Sequence, residues 1–146
     1  MKKDVLLSIS AAQYLEGFEP EFVNLMTQAK LYERNGKYYI VYEESELTGM
    51  EGTRTTVKMD NGTVILMRTG AFRSELLFAK DQRHVGLYET GVGTMVITTH
   101  TSSLENTIGE DGGKLVIEYT LEIDNSLLGH NHLHMIVTPA QVGIPN

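Results

Sequence analysis

The sequence predicts an all-β protein that forms a single antiparallel meander β-barrel of about 8–10 strands. Three observations predict it. β-Branched and aromatic residues are abundant, and these are the residues that pleated strands favour. Apolar and polar residues alternate through most of the chain, as in strands with one buried face. Asn-Gly pairs interrupt the alternation twice, and this dipeptide is typical of two-residue hairpin turns.

The first half of the chain contains the first strand and two hairpins. Alternation from Val5 to Ala11 predicts the first strand. Asn35-Gly36 then joins a second strand to a third, and Asn61-Gly62 joins the next two. The segment from Glu16 to Val23, before the second strand, is the one in which the spacing of apolar residues favours a short helix.

The second half continues as strands and turns, with one long polar loop. The loop is expected from Ser102 to Gly113, because polar residues end there in Asp-Gly-Gly. The clearest alternation follows it, from Leu115 to Ile123. A meander of this size usually closes into a barrel, which removes exposed strand edges, and a two-sheet sandwich is the other solution. Residues 1–146 are expected to be one domain, with a core from about 5 to 137.

The register of the second Asn-Gly hairpin predicts that Arg68 points inward. Counting outward from the turn pairs Val57 with Leu66 and Thr55 with Arg68 on the apolar face. An inward arginine is costly unless it is paired or meets an anion. A two-residue turn at Ala71-Phe72 would place Glu75 opposite Arg68 as an internal partner, and a slip by one residue would send Glu75 outside.

Two interpretations of Arg68 remain open, and both concern the barrel interior. Arg68 can lie at a wet barrel end, where long side chains reach water. It can instead anchor an anionic ligand such as a carboxylate in an apolar cavity. Three tyrosines, Tyr42, Tyr119 and Tyr88, are expected to line the same interior. The predicted ligand-binding residues are therefore Arg68, Tyr42, Tyr119, Glu75 and Tyr88.

Composition and charge exclude several classes of function. The chain has no cysteine, so it can form neither disulfides nor thiolate metal sites. Its net charge of −7 at pH 7 opposes binding to nucleic acid and to anionic membrane surfaces. No apolar run approaches the roughly 20 residues of a membrane span. We therefore expect no nucleic-acid partner, no membrane association and a cytoplasmic location.

No catalytic or metal-binding motif is recognisable. His130, His132 and His134 alternate with the apolar set that includes Leu133, so the histidines should face solvent, and no metal site is expected. The acidic run from Glu43 to Glu46 is interpreted as a solvated rim. No nucleophile elbow or phosphate loop is present. The prediction is a protein that is not an enzyme and has no cofactor.

Short motifs spread along the chain resemble one known family. They are Tyr42-Glu43-Glu44-Ser45, Thr48 to Thr53, Arg68-Thr69-Gly70, Tyr88-Glu89-Thr90 with Gly93, Gly113 before Ile117-Glu118-Tyr119, and Asn131. Their order is similar to that of the YwiB-like family of uncharacterised Firmicutes proteins, a domain of unknown function. The resemblance runs from about Val5 to about Val137 and implies a calycin-type, lipocalin-like β-barrel. It implies no activity, ligand or catalytic residue, since a fold does not determine a function.

Two functions follow as hypotheses. The first is a binder of a small amphipathic or anionic molecule inside the barrel, with Arg68 as the polar anchor. The second is a solid-core structural or protein-interaction module, with a homodimer as one form. That module would use exposed apolar residues on its outer surface. The expected patch consists of Ile65 and Met67, with Leu76 or Val96 as a further member.

Overall fold

Ten antiparallel strands make up the protein in the computed structural model. The model describes residues 2–140, and for Thr90, Leu127 and Leu128 it describes the backbone alone. A short 3₁₀ helix, Glu46–Thr48, lies between β3 and β4. The strands are β1 (Lys2–Tyr14), β2 (Glu21–Arg34), β3 (Lys37–Glu43), β4 (Thr53–Asp60), β5 (Thr63–Gly70), β6 (Arg73–Ala79), β7 (Arg83–Thr90), β8 (Gly93–Asn106), β9 (Gly113–Ile123) and β10 (Ser126–Pro139).

The strands close into a barrel in which each one lies beside its neighbours in sequence. β10 pairs with β1 and completes the ring. This order confirms the predicted all-β meander barrel. Among residues 2–140 we find no helix that is long and apolar enough to cross a membrane.

Both Asn-Gly turns form as the sequence predicts. Asn61 and Gly62 have φ angles of 45° and 85°, the positive values that a type I′ turn requires. The resulting register pairs Val57 with Leu66 and Thr55 with Arg68, so the predicted inward position of Arg68 is confirmed.

Two predicted boundaries are wrong. No helix forms between Glu16 and Val23, because β2 begins at Glu21 and its side chains alternate across the barrel wall. The loop from Ser102 to Gly113 is shorter than expected, because β8 continues to Asn106. A β-bulge near Ser103 interrupts the β8–β9 register. Polar side chains face solvent on the outer wall there, so polarity alone does not distinguish a loop from a strand.

The inward side chains form a continuous apolar core. Its most deeply buried members come from strands all around the ring. They include Leu7, Ile40, Phe78, Leu115 and Ile117.

Adjacent strands of the barrel meet along a seam, and at two of these seams the strands are paired over only part of their length. β2 and β3 pair from Lys30 to Arg34 and then diverge. β6 and β7 pair only at Arg73 and Ser74. The other strand pairs run along most of their shared length, so the openings in the wall lie at these two seams.

The corner between β5 and β6 depends on Gly70. This residue has φ +110°, and a Cβ there would collide with the carbonyl oxygen of Gly52. Gly70→Ala is therefore expected to lower the free energy of unfolding by about 1–3 kcal/mol, the cost of a strained backbone position. Urea denaturation measures the change.

Gly91→Ala is the matched control for that corner. A Cβ at Gly91 meets nothing within 4 Å, so this variant should unfold within about 0.5 kcal/mol of wild type. Equal losses of stability in the two variants would contradict the account of the corner.

Candidate functional site

The barrel interior contains an ion pair between Arg68 on β5 and Glu44 just after β3. The Nε of Arg68 lies 3.7 Å from Oε2 of Glu44, and the two side chains are 18% and 2% exposed. Two opposite charges in a medium of low polarity attract each other much more strongly than in water. The inward arginine therefore has a partner, but the partner is not the one that the sequence suggested.

The local backbone fixes the Glu44 carboxylate. The amide of Glu44 donates to the carbonyl of Thr53 at 2.8 Å, which keeps the chain beside β4. Oε1 then accepts a hydrogen bond from Thr48 Oγ1 at 3.0 Å. Oε2 accepts one from the buried hydroxyl of Thr55 at 2.5 Å. Both carboxylate oxygens are thus occupied by hydroxyl donors.

Two tyrosines stand beside the ion pair. Burial raises the pKa of Tyr42, and the negative charge of Glu44 raises it further, while Arg68 lowers it in part. Burial also raises the pKa of Tyr119, again with a smaller opposing effect from Arg68. The ring of Tyr119 lies 4.7 Å from that of Phe78. Both phenols are therefore held in their neutral, hydrogen-bonding form.

A cavity of about 240 Å³ lies next to this group. Its polar wall comes from Arg68, Glu44, Tyr42, Tyr119 and Thr48, and the rest of it is apolar. The apolar lining consists of Ile9, Ala11, Val23, Leu25, Leu47, Met50, Leu66, Leu76, Leu133 and Met135. One polar side in an apolar chamber is the usual composition of a small-molecule site.

The cavity wall has an unused hydrogen-bond donor. Within the described part of the chain, the Nε of Arg68 is buried and has no hydrogen-bond partner. The guanidinium carries five N–H donors and accepts nothing. Since Thr48 and Thr55 already occupy the Glu44 oxygens, the wall can donate more hydrogen bonds than it receives.

The predicted position of Glu75 is wrong. β5 and β6 pair Arg68 with Ser74, and Glu75 lies opposite Met67 on the exposed face. The β5–β6 register differs by one residue from the predicted one, and one residue is enough to reverse every side chain of the following strand. Leu76 therefore lies inside, at 7% exposure, and cannot belong to the outer patch.

The other predicted site residues divide into two groups. Arg68, Tyr42 and Tyr119 meet at the cavity. Tyr88 packs at the edge of the core, opposite Ser74 and against the ring of Phe72, and it does not line the cavity. Their role in binding a ligand stays a prediction.

Sequence reasoning missed Glu44. The acidic run from Glu43 to Glu46 was interpreted as a solvated rim. A signal was nevertheless present, because continuing the alternation of β3 past Tyr42 places Glu44 on the inner face. The structure confirms this parity, since Glu43 is exposed and Glu44 is buried.

The histidines of β10 alternate with the buried apolar residues, as predicted, but only His130 is exposed, and Nε2 of His134 is buried. Leu133 and Met135 are buried on the opposite face of the strand, and His132 lies 3.5 Å from the carboxylate of Glu118 on the outer wall. Among the described residues no group of three or more histidines and carboxylates could hold a metal ion.

A second opening lies outside the barrel at the incomplete β6–β7 seam. It is a cleft of about 480 Å³ with Arg73, Glu75, Val85 and Leu87 in its walls. Arg68 borders this cleft as well as the interior cavity. The cleft is lined mainly by exposed side chains, so the more enclosed interior cavity is the better candidate for a binding site.

Comparison with known proteins supports the fold. The family described as a domain of unknown function, DUF1934, matches residues 8–135. The uncharacterised β-barrel protein YwiB of Bacillus subtilis (strain 168) is 24% identical over 135 residues, which cover 92% of each chain. The crystal structure of the ywiB protein from Bacillus subtilis superposes with a TM-score of 0.85 at 21% identity, covering 96% of this chain and 94% of that one. These matches confirm the family resemblance and the barrel.

Glu44→Gln tests the buried ion pair. Removing one charge leaves Arg68 unpaired in the interior, which for a fully buried pair costs about 3–5 kcal/mol. Because Arg68 is 18% exposed and water offsets part of this penalty, we expect a loss of about 2–3 kcal/mol in the free energy of unfolding. Urea denaturation near neutral pH measures it.

The neighbouring Glu43→Gln is the matched control. Glu43 pairs with Arg54 on the outer wall, where the two side chains are 65% and 62% exposed. Such pairs contribute about 0–1 kcal/mol. If Glu44→Gln costs no more than Glu43→Gln, the interior pair does not stabilise the barrel.

The buried phenols of Tyr42 and Tyr119 predict that the folded protein loses stability at high pH. Their pKa values are raised in the folded protein, so the unfolded chain loses these protons first. Stability should therefore be unaffected below about pH 10 and should fall as the pH rises above it. In a spectrophotometric titration, fewer than the seven tyrosines should ionise before unfolding. Tyr42→Phe should remove one late-titrating phenol, whereas ionisation of all seven in the native state would contradict this prediction.

Proposed function

The chain belongs to the DUF1934 family, a domain of unknown function, and from its own side chains we propose that it binds a small amphipathic molecule inside the barrel. One observation carries the proposal. The buried Nε of Arg68, 3.7 Å from Glu44, has no hydrogen-bond partner among the described residues, and Arg68 lines a mostly apolar cavity. An unsatisfied buried donor is costly, and a ligand with an acceptor group would relieve that cost.

The arrangement of the polar wall defines the polar end of the ligand. Glu44 balances the charge of Arg68, and both its oxygens accept hydroxyl hydrogen bonds. Since the phenol of Tyr42 is hydrogen-bonded to Glu44, the groups left for a ligand are the N–H donors of Arg68 and the phenol O–H of Tyr119. A carboxylate fits this wall best, because charge-assisted hydrogen bonds to a guanidinium are the strong ones. An ammonium group fits this wall poorly, because it would meet hydrogen-bond donors instead of acceptors and would be repelled by the positive charge of Arg68.

The size and lining of the cavity define the rest of the ligand. A volume of about 240 Å³ lies just below the range of about 300–1,000 Å³ for drug-sized molecules. It favours a short acyl chain or a single small ring. The apolar lining from β1, β2 and β10 would enclose this part.

Binding explains the cavity better than catalysis does. Burial keeps the phenols of Tyr42 and Tyr119 neutral, so neither is suited to act as a base. The carboxylate of Glu44 is engaged by the hydroxyls of Thr48 and Thr55 and by the charge of Arg68, so it already holds the polar wall together.

Isothermal titration with three eight-carbon probes tests the proposal. Octanoate, octan-1-ol and octylamine share a tail and differ in the polar end. We expect octanoate to bind most tightly and octylamine most weakly. Arg68→Gln should weaken octanoate at least tenfold, and Ala11→Leu, which fills part of the cavity wall, should weaken all three probes.

Arg54→Gln is the control, because Arg54 forms its ion pair on the outer wall. It should leave all three affinities unchanged. Native mass spectrometry of protein purified from cells gives an independent readout of a retained molecule. No binding of any probe together with no retained molecule would overturn the proposal, as would equal losses in the Arg68 and Arg54 variants.

A further inference from the structure

The N-terminal half of β2 has a free edge. β1 pairs with β2 along its whole length, from Lys2 opposite Tyr32 to Gln13 opposite Glu21. On its other side β2 pairs with β3 only from Lys30 to Arg34. Residues 21–29 therefore have a strand on one side alone. Within the described chain, no backbone hydrogen bond outside the strand ladders satisfies this edge.

The space beside the edge is open on both faces of the wall. On the outside, where β2 and β3 diverge, a groove of about 580 Å³ runs between Gln28 and Val41. On the inside, Val23 and Leu25 line the barrel cavity together with Leu47 of the 3₁₀ segment. The gap between β2 and this segment is where an additional strand would lie.

The edge also lacks the features that usually prevent strand addition. Natural proteins protect free edges with lysine, proline, β-bulges or a covering segment. Residues 21–29 contain no lysine, arginine or proline, and their ladder with β1 runs without a bulge. Phe22 and Met26 on its outer face are 63% and 69% exposed. Such an edge is suited to pairing with another chain.

Charge identifies the kind of chain that fits. Lys2, Lys30 and Arg54 line the outer groove where β2 and β3 still pair. The two segments that flank the rest of the gap, 15–29 and 43–53, contain no lysine or arginine. Their acidic residues are Glu16, Glu19, Glu21, Glu43, Glu44, Glu46 and Glu51. Apart from Glu44, which pairs with Arg68, and Glu43, which pairs with Arg54, these carboxylates have no ion-pair partner among the described residues. A basic partner would complement this surface.

We propose that the free edge of β2 binds an extended segment of a partner protein as an additional strand. The segment would carry apolar side chains at alternate positions, with lysine or arginine beside them. Backbone hydrogen bonds to residues 21–29 would provide affinity, and contacts with Phe22 and Met26 would provide specificity. A second copy of this chain fits less well, because its own β2 edge would bring the same acidic flanks into contact.

A synthetic nine-residue peptide, with valine alternating with lysine and threonine, is the probe. Its acidic counterpart has glutamate in place of lysine. We expect the basic peptide to bind the full chain at least tenfold more tightly than the acidic one, with an affinity that falls as salt is added. Amide hydrogen exchange should slow in residues 21–29 when the basic peptide is present.

Lysine substitutions on the outer face distinguish strand addition at the free edge from nonspecific electrostatic attraction of the basic peptide to the acidic protein. Phe22→Lys and Met26→Lys should each weaken the basic peptide at least tenfold. The control is Ile136→Lys, since Ile136 is 42% exposed on β10, which is paired on both sides. It adds the same charge on the outer wall, away from the free edge, and should change the affinity less than threefold.

Any of the following outcomes would overturn the proposal. The first is equal affinity for the basic and acidic peptides. The second is exchange protection that appears only outside residues 21–29, or an equal loss of affinity in the Met26 and Ile136 variants. The third is a dimer of the protein alone, measured by light scattering, in which residues 21–29 are already protected, since the edge would then bind a second copy. None of these outcomes depends on whether octanoate binds inside the barrel.

Discussion

The charge of Arg68 is the constraint around which the polar half of the barrel interior is arranged. The register of the Asn61-Gly62 hairpin directs this side chain inward, and an unpaired guanidinium there would be very costly. Glu44 balances the charge, the hydroxyls of Thr48 and Thr55 hold the carboxylate in place, and Tyr42 lies beside the pair. The cavity borders this buried charged group.

The parts of the fold that local chemistry determines could be predicted from the sequence. Asn-Gly turns impose positive φ angles, so the registers around them, and the inward position of Arg68, follow from counting. The Glu75 prediction failed because the turn after β5 depends on a close approach of Gly70 to Gly52, a contact between distant residues that no local pattern reveals. Glu44 was missed because it lies just beyond the end of β3, where continued alternation competes with the interpretation of an acidic loop.

Closure of the barrel leaves two of its seams incomplete, and these seams determine how the interior meets its surroundings. At the β2–β3 seam the cavity lining and the free strand edge share Val23 and Leu25. An additional strand on this edge would therefore lie next to the cavity. Ligand binding and partner binding rest on different groups, the guanidinium of Arg68 in one case and the backbone of residues 21–29 in the other.

A double-mutant cycle on Arg68 and Glu44 tests the central claim most directly. Free energies of unfolding are measured for Arg68→Met, Glu44→Leu and the double variant, with the same cycle on Arg54 and Glu43 as the exterior reference. The account predicts a coupling energy of about 1–3 kcal/mol for the interior pair, typical of directly interacting residues, against about 0.2–1 kcal/mol outside. An interior coupling no larger than the exterior one would contradict the claim that this ion pair organises the barrel interior.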